Sequence, residues 1–466
     1  MSSRRVSFLF VLLLASGASV AVGQGPSAPP PQAEMPPPPS DERVTRVDIP
    51  AGHRYLMERH KISAAEAAER IALEEEVTQL SNKLRLGDPD DFGDLWIEHE
   101  PVYRIVVAFL NNEDRSALRD EISPKLRRYV QFKQVKTSWK QREALIEQVV
   151  TALKPLAIDY YSHYDHRNDS IVIQTEADRA VQQIRQAIPN ALQSFVTIRK
   201  GRVPRQMQAT GARSGDYLHG GWWYYLSNTG GNYHECSFAF NAKDNMGRPV
   251  ILSAGHCNAP THIYYTDHWV SLAAPIQDRN YGQFDYQAQV ITGLASGPWV
   301  YYENGKITAE GYQSYSSRNF VPGQPSSGYY KVIGTSGFYD QKVGQTLCKS
   351  GRATGLTCGK ITHGWATING VAKWIESGES AQYINAFEGD SGGAVFRSPT
   401  STGNIVALGI ISRAEKDDPD GDPLTPNLAC TTDSESAGYT GDCWIIHMPI
   451  DYIDDHQLLT VETGTP

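Results

Sequence analysis

The sequence predicts a two-part chain: an α+β region over residues 45–203, then an all-β domain over residues 217–466. Three observations carry this. Apolar residues recur at helical spacing before Val203 and rarely after it. From Tyr217 onward, short apolar runs alternate with Gly, Asn and Asp turns, as in an antiparallel barrel or sandwich. All six cysteines fall in the second part.

The elements follow in order. Residues 1–24 read as a secretory signal, with Arg4 and Arg5 ahead of the apolar run Val6–Val22. No later stretch comes near a membrane span in length, so no membrane association is expected. Residues 25–44 form a Pro-rich linker that should be extended. Ser63 to Leu86 reads as a helix: Ser63 and Glu66 make a capping-box pattern, Leu73, Val77, Leu80 and Leu84 a stripe, and Gly87 a stop. Arg104–Phe109 and Ser170–Gln174 read as strands, Gln141–Leu153 and Ala177–Ile188 as helices, and Phe195–Arg199 as a closing strand. Residues 204–216 are a polar, basic linker open to proteases, with Arg205 and Arg213 in it and Arg202 just before it. Strands are then expected at Cys236–Phe240, Val250–Ser253, Val290–Gly293 and Val406–Ser412.

With 40% hydrophobic and 20% charged residues the chain can bury a large core, which excludes wholesale disorder. The net charge is −9, and the acidic excess lies entirely after Val203. No basic stripe exists, so nucleic acid is not an expected partner. Six cysteines behind a signal argue for disulfides; 15 pairings are possible. The sequential set is the simplest: Cys236–Cys257, Cys348–Cys358 and Cys430–Cys443. No Cys-x-x-Cys spacing suggests zinc. His219, His234, His363 and His447 lack metal-like spacing and read as ordinary surface or core histidines.

Two strings carry chemistry: Ser253-Ala254-Gly255-His256-Cys257 and Gly389-Asp390-Ser391-Gly392-Gly393. A serine hydroxyl attacks only when a base takes its proton, and histidine suits that role near neutral pH. The base needs a carboxylate to orient it. Asp267, Asp278 and Asp285 all lie between the two strings. Glycines beside Ser391 allow a sharp turn whose Gly389 and Ser391 amides can point at a developing oxyanion.

These strings resemble the chymotrypsin-like serine endopeptidases, more closely the bacterial streptogrisin and α-lytic type. Tyr217-Leu218-His219-Gly220-Gly221 resembles the start of a mature enzyme of that type, and Gly344–Gly355 its disulfide hairpin. The likeness covers about residues 216–455. It implies an all-β protease domain of two six-stranded antiparallel Greek-key β-barrels, preceded by an α+β pro-region over residues 45–203. It also implies a secreted enzyme made as a zymogen, hydrolysing peptide bonds through an acyl-enzyme on Ser391, with His256 as base and acid and Asp285 as orienting carboxylate, and with no cofactor and no metal. Asp285 is favoured because Gly282–Tyr286 resembles the family's aspartate string, with Asp278 second. By the same resemblance Ser412 supports the aspartate, and Asn385 and Ala414 line the specificity pocket with Arg413 at the cleft edge. Asp390 takes a buried cation, Lys349 first and Arg352 second. Phe387 stands near where relatives carry a cysteine. The acidic loop Glu415–Asp422 reads as solvated, with calcium the alternative. Expected partners are polypeptide substrates and the chain's own pro-region, the mature enzyme being a monomer. A catalytically silent binding protein on the same fold, or an esterase, are the alternatives. No triad member is missing, and an esterase's Gly-x-Ser-x-Gly elbow is absent.

Overall fold

The computed structural model describes residues 49–201, 203–206, 220–221, 223–227, 233–257, 262–265, 268–271, 275–281, 284–291, 296–303, 306–309, 312–315, 327–380, 383–384, 386, 389–416, 442–453 and 459–465. The expected signal, the Pro-rich linker and most of the 204–216 linker lie outside them.

The N-terminal region is α+β. Its helix Ala64–Gly87 starts where expected, with the Ser63 side chain accepting from the Glu66 amide. The next long helix begins at Trp139, earlier than the apolar spacing suggests, because Ser138 and Gln141 form a reciprocal capping box. Phe92–Glu98, Arg104–Phe109 and Val130–Gln134 form one three-stranded sheet. Tyr161–Asp165, Ser170–Thr175 and Val196–Lys200 form a second strand group.

One six-stranded barrel closes after it. Its ring runs Thr346–Gly351, Gly355–Ile368, Val371–Ser380, Asp442–Pro449, Asn404–Lys416, Ala394–Arg397 and back to Thr346–Gly351. Thr346–Gly351 and Gly355–Ile368 are stapled by Cys348–Cys358. Pro275–Tyr281, Phe284–Val290, Pro249–Ser253 and Asn241–Lys243, which precede this ring, and the C-terminal Thr460–Val461, which follows it, make a five-stranded sheet in that order. Trp223–Ser227 and Tyr233–Ser237 form a separate hairpin. A second closed six-stranded ring is not formed by the described residues.

Phe284–Val290 is a strand, as the sequence allows for Tyr286–Val290 after Asp285; it ends at Val290, where the apolar run Val290–Gly293 begins, and residues 292–293 lie outside the described residues. Gln287 and Gln289 hide it from an apolar scan although both are buried. Gln287 Nε2 donates to the Tyr224 hydroxyl at 2.7 Å, which offsets the cost of burying its amide.

The N-terminal region packs directly on the barrel. Tyr161–Asp165 extends the barrel strand Gly355–Ile368, pairing Ser162 with Thr367 and Tyr161 with Ile368. Glu74 accepts from the Thr346 amide at 2.8 Å, and Gln345 Nε2 donates to Thr78 Oγ1 at 2.8 Å. Glu379 accepts from Tyr55 at 2.8 Å and from Arg59 at 2.9 Å. Leu73 and Val77 of the helix share one apolar cluster with Leu347 and Ile361 of the barrel.

Candidate active site

His256 lies in a single turn, Gly255–Cys257, just after the Pro249–Ser253 strand. The Cys236–Cys257 disulfide anchors that turn to the Tyr233–Ser237 strand. Asp285 is the second residue of Phe284–Val290, which pairs antiparallel with Pro249–Ser253. This pairing brings the carboxylate under the histidine. The His256 backbone N–H donates to Asp285 Oδ1 at 2.8 Å, and ring Nδ1 lies 2.8 Å from Oδ2. An ionised carboxylate can only accept, so Nδ1 carries the proton and Nε2 is left as an acceptor. Nε2 lies 2.9 Å from Ser391 Oγ. All three residues are buried. Asp267 lies outside the described residues, and so does the side chain of Asp278.

Burial would raise the Asp285 carboxyl. The histidine, its backbone N–H and the Ser412 hydroxyl outweigh that and hold it below the usual carboxylate range. Ser412, on Asn404–Lys416, donates its hydroxyl to Asp285 Oδ2, and its carbonyl oxygen lies 3.5 Å from Ser391 Oγ.

Ser391 sits in a turn pinned on both sides. Its carbonyl accepts from the Ser237 amide at 2.7 Å. Gly392 donates to the Ile411 carbonyl at 2.8 Å, and Ile411 donates back to Gly393 at 3.0 Å. Gly392 has φ +82°, and a Cβ there would meet Ser253 Oγ and the Ser237 carbonyl oxygen at 2.2 Å each. Only glycine fits both the angle and the space.

A stretch of 171 residues, 36% of this chain, is 30% identical to "Serine protease 2" of Streptomyces fradiae and spans 84% of that protein. The chain belongs to the streptogrisin-type, chymotrypsin-like serine proteases. It is accordingly a serine-type endopeptidase. Streptogrisin-A of Streptomyces griseus is 29% identical over 175 residues, 38% of this chain and 48% of that protein. The crystal structure of Thermobifida fusca protease A overlaps 54% of this chain and 100% of its own, at TM-score 0.33 and 20% identity. No protein-family model matches the chain.

In this streptogrisin-type protease Asp390, next to Ser391, is buried against Lys349. Lys349 Nζ lies 3.0 Å from Asp390 Oδ2, and neither side chain has any solvent exposure. Ala353 and Thr354 amides donate to Oδ1 at 2.8 and 3.1 Å, and Thr354 Oγ1 to Oδ2 at 2.6 Å. Arg352, the second candidate for the cation, instead gives its backbone N–H to Ser237 Oγ at 2.9 Å. Burial lowers the Lys349 pKa, and Asp390 opposes this.

Ala414 is buried on the strand just beyond Ser412. Asn385, Phe387, Cys430 and most of the acidic loop lie outside the described residues. Cys443 is disulfide-bonded. Three contacts were not legible in the sequence. Ser237 donates its hydroxyl to the Gly389 carbonyl at 2.7 Å. Ser253 Oγ donates to the Ser237 carbonyl at 2.7 Å and meets Tyr224 at 2.8 Å. For Ser253, its place at the head of the His256 string is the available signal; Ser237, beside Cys236, has none.

Proposed function

We propose that the chain is a secreted serine endopeptidase made as a zymogen, with residues 45–203 as pro-region, 204–216 as activation linker and 217–466 as the protease domain. His256 Nε2 takes the Ser391 proton while Oγ attacks the scissile carbonyl carbon. The carbonyl oxygen becomes an oxyanion, held by the Gly389 and Ser391 amides. The imidazolium, oriented and stabilised by Asp285, gives its proton to the leaving amine, and the C–N bond breaks. This leaves an acyl-enzyme on Ser391; water then attacks the acyl carbon as His256 takes its proton, the Ser391 Oγ–C bond breaks to release the acid, and His256 returns the proton to Oγ. The chemistry needs no cofactor.

The observation that carries this reading is the 2.9 Å approach of Ser391 Oγ to an imidazole nitrogen left as an acceptor by Asp285. Support for the zymogen comes from Arg205–Gln206. It pairs antiparallel with the cleft-edge strand, Arg205 opposite Ala414 and Gln206 opposite Arg413. An extended substrate would add to an exposed strand edge in the same way, so the start of the activation linker competes with it. Secretion is supported by the apolar run Val6–Val22 and by the disulfides.

A casein or peptide-library digest with wild type and Ser391→Ala, read by mass spectrometry, tests the reading. Cleavage by wild type and none by the variant supports it. Equal cleavage by both, or none by either after removal of residues 1–203, contradicts it.

A further inference from the structure

We propose that His163, His363 and Glu376 form a site for a divalent transition-metal ion, zinc by its ligand set, across the junction of the N-terminal region and the barrel. The three come from different strands. His163 lies on Tyr161–Asp165, His363 on Gly355–Ile368 and Glu376 on Val371–Ser380. Their ligand atoms all lie within 4.8 Å of one another. Zinc takes nitrogen and oxygen ligands at about 2.0–2.2 Å in a tetrahedron. His363 Nδ1 and Glu376 Oε1 share a hydrogen bond at 2.5 Å, so an entering ion parts these two atoms, releases the proton between them and draws in His163.

The surroundings are those of a ligand set. His363 sits directly opposite Glu376, with a register shift on either side of it that turns the strand locally. The two histidine rings lie 3.8 Å apart, centre to centre. His163 is 6% exposed, and its Nδ1 has no hydrogen-bond partner. Such an orphaned buried nitrogen is costly unless something binds it. Glu376 is held in place by Thr362 Oγ1 at 2.7 Å and by the Tyr161 hydroxyl. Outer hydroxyls of this kind orient a metal-binding carboxylate. Three protein ligands leave a fourth position, on the partly exposed His363 side, for water.

The ion would tie the strand Tyr161–Asp165 to the barrel. His163 and His363 are far apart in sequence, so spacing along the chain gives no hint of them. Metal uptake does not depend on the protease reading, and its failure would leave that reading untouched.

The test uses the full chain with Ser391→Ala, which stays uncleaved, freed of metal with a chelator and titrated with Co²⁺ and then Zn²⁺. Expected are one Co²⁺ per chain with visible absorption of a four-coordinate site, displacement by Zn²⁺, and a higher melting temperature with metal. His163→Ala and His363→Ala should each weaken uptake at least tenfold and abolish the metal-induced rise. The His163 change opens a buried contact, so His363→Ala, at a more exposed position, is the arm that keeps its fold. Absence of Co²⁺ uptake by the parent overturns the proposal. So does unchanged stoichiometric uptake in folded His363→Ala.

Discussion

His256 is bound to Asp285 twice, through its backbone N–H at 2.8 Å from Oδ1 and its ring Nδ1 at 2.8 Å from Oδ2. One carboxylate therefore fixes both the turn that carries the imidazole and the tautomer that faces Ser391. Asp285→Asn can offer an amide N–H to the ring in place of an acceptor, which favours the wrong tautomer. We expect kcat to fall about 10⁴-fold with little change in KM. Asp278→Asn, the competing choice from the sequence, should stay within a few-fold of wild type. Steady-state kinetics on a peptide substrate compares the two.

Lys349 and Asp390 are an ion pair with no solvent on either side. Removing one partner leaves a buried charge with no counter-ion, which typically costs about 3–5 kcal/mol. Lys349→Met should lower the denaturation midpoint sharply. Adding Asp390→Asn to it should recover part of the loss, because the stranded charge is gone. Chemical denaturation of the three proteins, with Ser391→Ala in each to prevent self-digestion, measures it.

Glu74 holds the Thr346 amide from within the interface, and burial raises its carboxyl from 4.5 to about 8. A carboxyl raised on folding binds its proton more tightly in the folded state. Its contribution is therefore full below pH 4.5 and is lost as the pH rises toward 8. Glu74→Gln keeps an acceptor for Thr346 without the titration. Full-length Ser391→Ala carrying it should melt at a higher temperature than its parent at pH 8 and at a similar one at pH 4. Identical pH profiles for the two would refute this assignment.

The Cys236–Cys257 disulfide ties the His256 turn to the strand whose Ser237 braces both Gly389 and Ser391. Cys236→Ala with Cys257→Ala should cost about 2–4 kcal/mol in stability. Activity per folded molecule should fall as well, since the histidine loses an anchor. Thermal denaturation and active-site titration read the two effects separately.

Local signals were legible where the physics is local. Ser63 caps its helix, glycines surround Ser391, and apolar runs mark Pro249–Ser253 and Asn404–Lys416. Asp285 stands out from Asp267 and Asp278 only through the resemblance of Gly282–Tyr286 to a family string; the pairing of Phe284–Val290 that carries it to His256 is long-range and leaves no mark along the chain. The strand additions were hidden for the same reason. Tyr161–Asp165 joins Gly355–Ile368, and Arg205–Gln206 joins Asn404–Lys416, through backbone groups that every residue carries. Ser237 and Met448, whose sulfur lies 3.4 Å from the Asp285 amide, act by position and not by residue type. Ring closure of the barrel likewise depends on pairing between distant strands.

The most direct test of the central claim is covalent labelling by a fluorophosphonate, which reacts with a serine only when a base activates it. Intact mass and peptide mapping after exposure should show one adduct per mature chain, on Ser391, and none in His256→Ala. An adduct on another residue, or peptide hydrolysis that survives full labelling of Ser391, would contradict the account.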